Sequence, residues 1–261
     1  MTPVHMKQTD ISLTIIGLVI SVHILGMFAF SPLVGWLSDR LGRVRAIQIG
    51  VLLLVAASVF VFGGYFFVVE AMRRAGAVVG RFFEEVGRLV LPGVSTWDLE
   101  MFADRFIARH GVRSAFKGYL GFPAHLCTSL NEEVVHGIGS LKRILRDGDI
   151  ISVDVTVEYN GYIGDNAVTV PVGSISPALT ELLRVTEQAL RLGVAAAVVG
   201  NRIGDISAAV QRYVESHGFS VVRDLVGHGV GLAMHEEPQI PNFGRPGSGE
   251  RIKPGIGRAH V

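Results

Sequence analysis

The sequence predicts a chain of two parts, a hairpin of two transmembrane helices followed by an α+β domain with an antiparallel sheet. Two long segments without a charged side chain, residues 11–38 and 46–69, predict the two helices. Strict alternation of apolar and polar residues over Ile150–Tyr159, followed by Asn160-Gly161, predicts a β-hairpin in the second part. Apolar residues at helical spacing on both sides of this hairpin supply the α component.

The composition excludes several classes of protein. The chain has 261 residues, 49% of them hydrophobic and only 18% charged, whereas roughly 25% is typical of globular domains. The net charge of +1 gives no indication of a nucleic-acid partner. The single cysteine, Cys127, excludes a disulfide scaffold and a cysteine-based zinc finger.

The two uncharged segments are long enough to be membrane-spanning helices. They contain 28 and 24 residues, and about 20 apolar residues cross the core of a bilayer. A buried core helix would explain one such segment, but two in succession favour a membrane hairpin. We therefore expect a membrane location and contact with membrane lipid through residues 11–69 or so.

The loop between these segments, GWLSDRLGRVR at residues 35–45, suggests a relationship. Over residues 6 to about 60 the sequence resembles the second and third helices of major facilitator transporters. Because two helices cannot build a transport path, the resemblance implies at most a transporter fragment. Arg40, Arg43 and Arg45 favour a cytoplasmic loop, but arginines after the second segment oppose this, so the orientation stays open.

We place the domain boundary after residue 69, which gives a transporter-like part at 1–69 and a globular domain at 70–261. The domain starts with a predicted helix that ends at Pro92-Gly93, and Ser95 or Thr96 can cap a second helix. Two more helices are predicted at 178–199 and 204–217, followed by short strands and turns from Phe219 onward.

The predicted β-hairpin brings two carboxylates together. With Asn160-Gly161 as the two-residue loop, Tyr159 faces Tyr162, and Asp165 lies opposite Thr156. Asp154 then shares a face with Asp165 as its diagonal neighbour, roughly 5 to 8 Å away between Cβ atoms. Two carboxylates at that distance repel each other unless a proton or a cation lies between them. The alternative is an ordinary solvated polar face.

Three histidines add to this pair. His228 lies between glycines in LVGHGVG, His235 is in MHEEP, and His136 is in NEEVVHG. A single histidine is more often structural than a metal ligand. Three of them in compact segments, together with two close aspartates, predict a metal-dependent hydrolase.

Three segments carry a specific resemblance: residues 121–139, 147–165 and 225–244. In order and spacing they resemble type I methionine aminopeptidase, and the match runs from about Glu70 to Gly255. The resemblance implies the pita-bread fold, two α/β halves around a site for two divalent ions (Co, Mn, Fe or Zn). It also implies removal of the initiator methionine, so that the expected partner is the N-terminal Met of a protein or peptide.

The resemblance also assigns roles to individual residues. Asp154, Asp165 and His228 match metal ligands, and His136 and His235 match the histidines that contact substrate and stabilise the tetrahedral intermediate. Four further residues match positions that line the pocket for the methionine side chain, although plain core packing would also explain them: Tyr119, Phe122, Cys127 and Met234.

Two of the five metal ligands of the family have no match in this sequence. Both are glutamates near the C-terminus of the family pattern, and Val261 stands at the position of the first. We therefore expect a pita-bread fold that is incomplete at its C-terminus, weakened metal binding and little activity.

Other functions stay open beside a metallo-aminopeptidase. An inactive pita-bread domain that binds peptides and a membrane-transport fragment are the alternatives, and a proline dipeptidase of the same fold matches less well around His136 and His235. A fusion artefact in the N-terminal segment would make the peptidase domain cytoplasmic.

Overall fold

The computed structural model of the chain describes Trp36 and residues 38–253, with the backbone alone at positions 43, 57 and 59–65. The chain divides into two compact units, Met1–Phe66 and Phe67–Val261. The predicted domain boundary after residue 69 falls close to this division and stays a prediction.

The first described element is a long helix, α1, at Arg43–Val86. It contains the whole second uncharged segment and continues without a break past Glu70, which pairs with Arg74 at 3.0 Å. No helix in the described part of the chain is long and apolar enough to cross a membrane. Most of the first segment, residues 11–38, lies outside the described residues.

The expected transmembrane hairpin is therefore unsupported in the described structure, and so is the expected contact with lipid through residues 11–69. The uncharged run at 46–69 also does not form a helix of its own. It is the first part of a longer helix whose last turns are amphipathic. An uncharged stretch of this length predicts a helix well, but it does not predict where the helix ends.

The C-terminal part of α1 forms one side of the core of the second unit. Val79, Phe82 and Val86 are buried at helical spacing, as the sequence predicts for residues 70–91. The helix ends at Val86, earlier than predicted, and a turn leads to Pro92-Gly93. Leu89 falls in this turn and is exposed rather than buried.

Helix α2, at Thr96–His110, has clear stop and start signals. Ser95 is the N-cap: its side chain accepts from the Asp98 backbone N–H, and the Asp98 carboxylate accepts from the Ser95 backbone N–H at 2.9 Å. Gly111 ends the helix with a φ of 63°. The inner face carries Phe106, whose ring lies 5.2 Å from that of Phe82.

An antiparallel sheet packs against these helices. Strand β3 at Ile150–Tyr159 is central and pairs with β4 on one side. Its other pairings are with β1 near its end and with β2 along half of its length. The bounds of the partner strands are Arg113–Ser114 for β1, Leu126–Leu130 for β2 and Tyr162–Pro171 for β4. A single 3-10 turn, Tyr119–Gly121, precedes β2.

The predicted register of the hairpin is confirmed. Tyr159 pairs with Tyr162, Thr156 with Asp165, and Asp154 with Ala167. Both loop residues have positive φ, 51° at Asn160 and 83° at Gly161, as a two-residue turn between twisted strands requires. The apolar face of β3 is fully buried, with Ile151, Val153, Val155 and Val157 all at most 1% exposed. The polar face is therefore turned away from the core.

The remaining elements form the second half of the unit. Helices α3 at Pro177–Ala196 and α4 at Ile203–Ser216 match the two predicted helices within a few residues. Strands β5 at Val226–Gly229 and β6 at Glu236–Pro241 form a separate antiparallel pair with a bulge at His228/Gly229. The backbone N–H of Ile163 in β4 donates to Gly231 O at 2.8 Å and so links the two sheets.

Phe82 tests the packing of α1 against α2. Because its side chain is fully buried among Phe83, Phe102 and Phe106, we expect Phe82→Ala to lower the free energy of unfolding by about 3–5 kcal/mol. Urea unfolding followed by far-UV circular dichroism measures this. The matched control is Phe67→Ala in the same helix, where the side chain is 61% exposed and the expected change is below about 0.5 kcal/mol. Equal losses in the two variants would contradict the assigned packing.

Candidate active site

One large cavity opens between the two sheets of the second unit, with a volume of about 1170 Å³. Its wall is built from the segment 116–123, strands β2 to β4, the loop at 134–138, and the β5–β6 pair with the chain leading to it. The structure brings together all nine residues that the sequence analysis singled out, and each of them lines this cavity: Tyr119, Phe122, Cys127, His136, Asp154, Asp165, His228, Met234 and His235.

The two aspartates occupy neighbouring strands on the polar face of the β3–β4 hairpin. Oδ1 of Asp154 is buried and has no hydrogen-bond partner in the described structure. Burial, and next the nearby charge of Asp165, raise the pKa of Asp154 to about 8. Asp165 is better satisfied, because its Oδ1 accepts a hydrogen bond from the Thr156 hydroxyl at 2.7 Å. Without a cation, Asp154 therefore keeps its proton at neutral pH.

His228 approaches this pair from strand β5. Its Nε2 lies 3.8 Å from Oδ2 of Asp165, and its Nδ1 lies 3.1 Å from the backbone oxygen of Gly229. The second contact suits an Nδ1–H donor, which leaves Nε2 as the nitrogen directed toward Asp165. Gly229 lies so close to β6 that a Cβ atom there would come within 2.6 Å of Glu237 O. The close approach of the Gly229 backbone to β6 thus fixes the position of the His228 imidazole.

His235 lies beside His228 on the same wall. The centroids of the two imidazole rings are 4.3 Å apart, and the Tyr119 hydroxyl lies 3.3 Å from Nδ1 of His235. Burial, followed by the neighbouring His228, lowers the pKa of His235 below its ordinary value. A neutral imidazole at physiological pH can donate from one nitrogen and accept at the other.

His136 reaches the cavity from the loop after β2. Its backbone has a φ of 62°, and the next residue, Gly137, accepts a hydrogen bond from the Thr128 N–H at 2.7 Å. The Gly137 N–H donates in turn to Oγ of Ser129 at 3.1 Å. A Cβ atom at Gly137 would lie 2.1 Å from Thr128 O. Only glycine allows this approach, which holds the His136 backbone against β2.

The apolar part of the cavity includes two sulfur-containing side chains. Cys127 is buried opposite Asp154 in the β2–β3 register, and burial together with Asp154 raises the pKa of its thiol to about 12. Met234 is only 8% exposed. Phe122 is half-buried and its ring makes an edge contact with Phe116, 6.0 Å between centroids. These neutral side chains form a pocket suited to an apolar side chain with a polarisable atom.

Some residues in or next to the cavity wall escaped the sequence analysis. Thr156 is buried behind the wall and supports Asp165 directly, and the predicted register, which places the two opposite each other, could have indicated this. Leu120, Val134 and Val135 line the cavity while largely exposed. Nothing in their local pattern distinguishes them from ordinary surface positions.

Among the residues that the structure describes, no group of three metal-type side chains converges closely enough to hold an ion.

Comparison with known proteins places this geometry in a family. The model of metallopeptidase family M24 matches residues 70–256, and that of the Major Facilitator Superfamily matches residues 1–116, less than half of the chain. The chain is similar to methionine aminopeptidase of Clostridium acetobutylicum, with 50% identity over 72% of this chain and 75% of that protein. Methionine aminopeptidase 1 of Bacillus subtilis is 51% identical over 71% of this chain and 74% of its own length.

Solved structures agree with these relatives. The crystal structure of methionine aminopeptidase from Thermotoga maritima matches with a TM-score of 0.71 and 43% identity, over 72% of this chain and 76% of that one. A prolidase from Pyrococcus furiosus, at 20% identity and a TM-score of 0.60, shares the fold. The predicted enzyme class and pita-bread fold are therefore confirmed. The chain belongs to metallopeptidase family M24, and within it to the methionine aminopeptidases.

Proposed function

We propose that the domain at residues 70–261 removes the N-terminal methionine of proteins and peptides, with Asp154, Asp165 and His228 as ligands of divalent metal ions. The observation that carries this proposal is the buried Oδ1 of Asp154, which has no hydrogen-bond partner in the described structure and faces a second carboxylate. A buried carboxylate without a partner is costly, and a cation beside it removes the cost. A bound divalent ion lowers the pKa of water and polarises a carbonyl group.

The donor set suits several ions. Carboxylate oxygens with one imidazole fit Mn²⁺, Fe²⁺, Co²⁺ and Zn²⁺ better than Ca²⁺, which prefers oxygen ligands alone. This sequence matches three of the metal ligands that the family resemblance implies: Asp154, Asp165 and His228. We therefore propose that these three side chains hold the metal ions.

His235 and His136 are the proposed catalytic and substrate-binding histidines. Because His235 is neutral and held by the Tyr119 hydroxyl, its ring can hydrogen-bond the backbone of a bound peptide. His136 lies exposed on the cavity wall and is fixed by the backbone contacts of Gly137 with β2. Either imidazole could donate a hydrogen bond to the oxygen on which negative charge develops during hydrolysis.

The pocket for the methionine side chain is assigned to Tyr119, Phe122, Cys127 and Met234. The Cys127 thiol is neutral because its pKa is near 12, so the pocket contains no charge from this residue. Thioether, thiol and aromatic groups are soft and polarisable, and they contact a methionine sulfur favourably.

The metal ligands can be tested one at a time. We expect Asp154→Asn, Asp165→Asn and His228→Ala each to weaken Mn²⁺ binding at least about tenfold, since even changes behind a ligand cost 10–100-fold. Isothermal titration calorimetry at pH 7.5 measures this. The matched control is Asp224→Asn, which removes a carboxylate that lines the same cavity but is not a proposed ligand. Equal weakening by Asp224→Asn would show a general charge effect and contradict the assigned ligands.

The raised pKa of Asp154 predicts how stability depends on pH in the ion-free protein. The folded chain holds this proton up to about pH 8, whereas the ordinary pKa is 3.8. The folded state therefore binds more protons between these values, and the free energy of unfolding should fall as the pH rises from about 4 to about 8. Urea unfolding in EDTA measures the slope, which should be smaller in Asp154→Asn. An identical slope in that variant would contradict the assignment.

Activity separates the enzyme from an inactive peptide-binding domain. With Mn²⁺ or Co²⁺ added, we expect release of methionine from Met-Ala-Ser and no release of leucine from Leu-Ala-Ser, as measured by chromatography of the free amino acid. Equal release from the two peptides would contradict the proposed preference for an N-terminal methionine. No release, combined with selective binding of Met-Ala-Ser, would favour the inactive peptide-binding domain.

A further inference from the structure

The loop between β5 and β6, residues 230–235, carries two residues of the proposed substrate site, Met234 and His235. All six residues are described, and none of them belongs to a helix or a strand. Gly231 O accepts a hydrogen bond from the Ile163 N–H of β4 at 2.8 Å, which holds the start of the loop. The strand pairing alone therefore does not fix the part of the loop that leads to the two functional side chains.

Glu236, the first residue of β6, turns its carboxylate back into this loop. Its Oε1 accepts hydrogen bonds from two consecutive backbone N–H groups, that of Leu232 at 2.7 Å and that of Ala233 at 2.8 Å. Consecutive N–H groups directed at one point form a concave site for an anion, and here the anion is a side chain of the protein itself. Hydrogen bonds to an ionised acceptor are also roughly twice as strong as those between neutral groups. The carboxylate thus closes the loop directly before Met234.

The loop provides room for this carboxylate at Gly231. A Cβ atom there would lie 2.6 Å from Oε2 of Glu236 and 3.0 Å from Oε1, and the shorter distance is too small for a carbon atom. Burial does not replace the polar contacts, because the Leu232 side chain is 72% exposed and Ala233 is exposed as well. The loop conformation therefore depends on its hydrogen bonds to Glu236.

The two residues that follow depend on this conformation. Met234 is buried, the His235 ring lies 4.3 Å from that of His228, and the Tyr119 hydroxyl lies 3.3 Å from Nδ1 of His235. A released loop would let both side chains move away from the cavity. A displacement of about 1 Å in a positioning group can cost about 100-fold in rate. The contact made by Glu236 therefore matters for the site although it lies behind the functional groups.

Glu236 also lines the cavity, so its position has to be compared with that of a metal ligand or a general base. Either role requires a carboxylate oxygen that is free to face a cation or a water molecule. Oε1 already accepts two backbone hydrogen bonds, and Oε2 lies against Gly231. These contacts favour a role in holding the loop.

We propose that Glu236 is a positioning residue, whose carboxylate holds the loop at 230–235 so that Met234 and His235 contact the bound peptide. This inference rests on the proposed function, because it takes these two residues as substrate contacts. Glu236 itself touches neither the peptide nor the metal ions. Glutamine at this position retains an oxygen that accepts both hydrogen bonds, whereas alanine has no acceptor.

Hydrogen exchange of the full chain, followed by mass spectrometry, tests whether Glu236 holds the loop. We expect Glu236→Ala to speed exchange of the Leu232 and Ala233 amides at least about tenfold, because both lose their acceptor. Glu236→Gln should preserve their protection. The matched control is Glu237→Ala, which removes an exposed carboxylate of the same strand that accepts from the Gln239 N–H instead. Unchanged exchange in Glu236→Ala would overturn the inference.

Gly231→Ala provides a second variant that keeps the carboxylate in the sequence. The added Cβ atom displaces Oε2 of Glu236, and the backbone of Gly231 has a conformation that alanine adopts without a positive φ. We expect the same faster exchange at Leu232 and Ala233 as in Glu236→Ala. Full protection of both amides in Gly231→Ala would contradict the assigned contact.

Binding of L-methionine, the amino acid that the proposed reaction releases, tests the consequence for the site without turnover. Saturation-transfer NMR with Zn²⁺ present measures this, and L-alanine is the comparison ligand. We expect Glu236→Ala to weaken methionine binding at least about fivefold, whereas Glu236→Gln should stay within about twofold of the unmodified chain. A glutamine variant that binds as weakly as the alanine variant would show that the negative charge itself is required and would overturn the positioning role.

Metal binding separates a positioning residue from a ligand. By calorimetry, Glu236→Ala should bind Mn²⁺ within about twofold of the unmodified chain, in contrast to Asp165→Asn. A loss as large as that in Asp165→Asn would make Glu236 a metal ligand and overturn the inference.

The comparison of ligands also separates this inference from the proposed function. If the unmodified chain binds L-methionine no better than L-alanine, the proposed function and the inference fail together. If methionine is preferred but Glu236→Ala binds it equally well, only the positioning role of Glu236 fails. Thermal unfolding of each variant, monitored by circular dichroism, confirms that the fold is retained.

Discussion

The pairing of β3 with β4 is the constraint on which the rest of the site depends. A two-residue turn with positive φ at Asn160 and Gly161 fixes the register, and a shift of one residue would turn every side chain to the opposite face. In the observed register the apolar face of β3 is fully buried and its polar face carries Asp154. The burial that stabilises the hairpin thus also holds the two carboxylates together.

The same sheet positions the other parts of the cavity. Strand β2 pairs with the second edge of β3 and brings Cys127 opposite Asp154. The loop after β2 carries His136, and the backbone contact between Ile163 and Gly231 ties β4 to the segment before His235. A cavity assembled in this way has one wall with a buried carboxyl group that lacks a hydrogen-bond partner in the described structure, and another wall that is apolar. The first wall suits a cation, and the second suits the apolar side chain of an N-terminal methionine.

The hairpin and most helices could be predicted from the sequence because their signals are local. Alternation and Asn160-Gly161 determine the register, and Ser95 with Asp98 determines the start of α2. Strand β2 was not predicted, since four of its five residues are buried and so show no alternation. The uncharged run at 46–69 predicts a separate span, because local composition cannot show that a helix continues to Val86. Leu120 was missed because a positive φ at leucine has no sequence signal.

Two of the histidines of the proposed site share a structural feature. His136 and His228 are each followed by a glycine, and each glycine lies against a backbone carbonyl of a neighbouring segment, Thr128 O and Glu237 O. The imidazoles are therefore aimed by contacts between main chains rather than by packing of side chains. The capacity for chemistry is thus encoded partly at positions that contribute no functional group. Replacing Gly137 or Gly229 by alanine would therefore shift the neighbouring imidazole, although every side chain of the site would still be present.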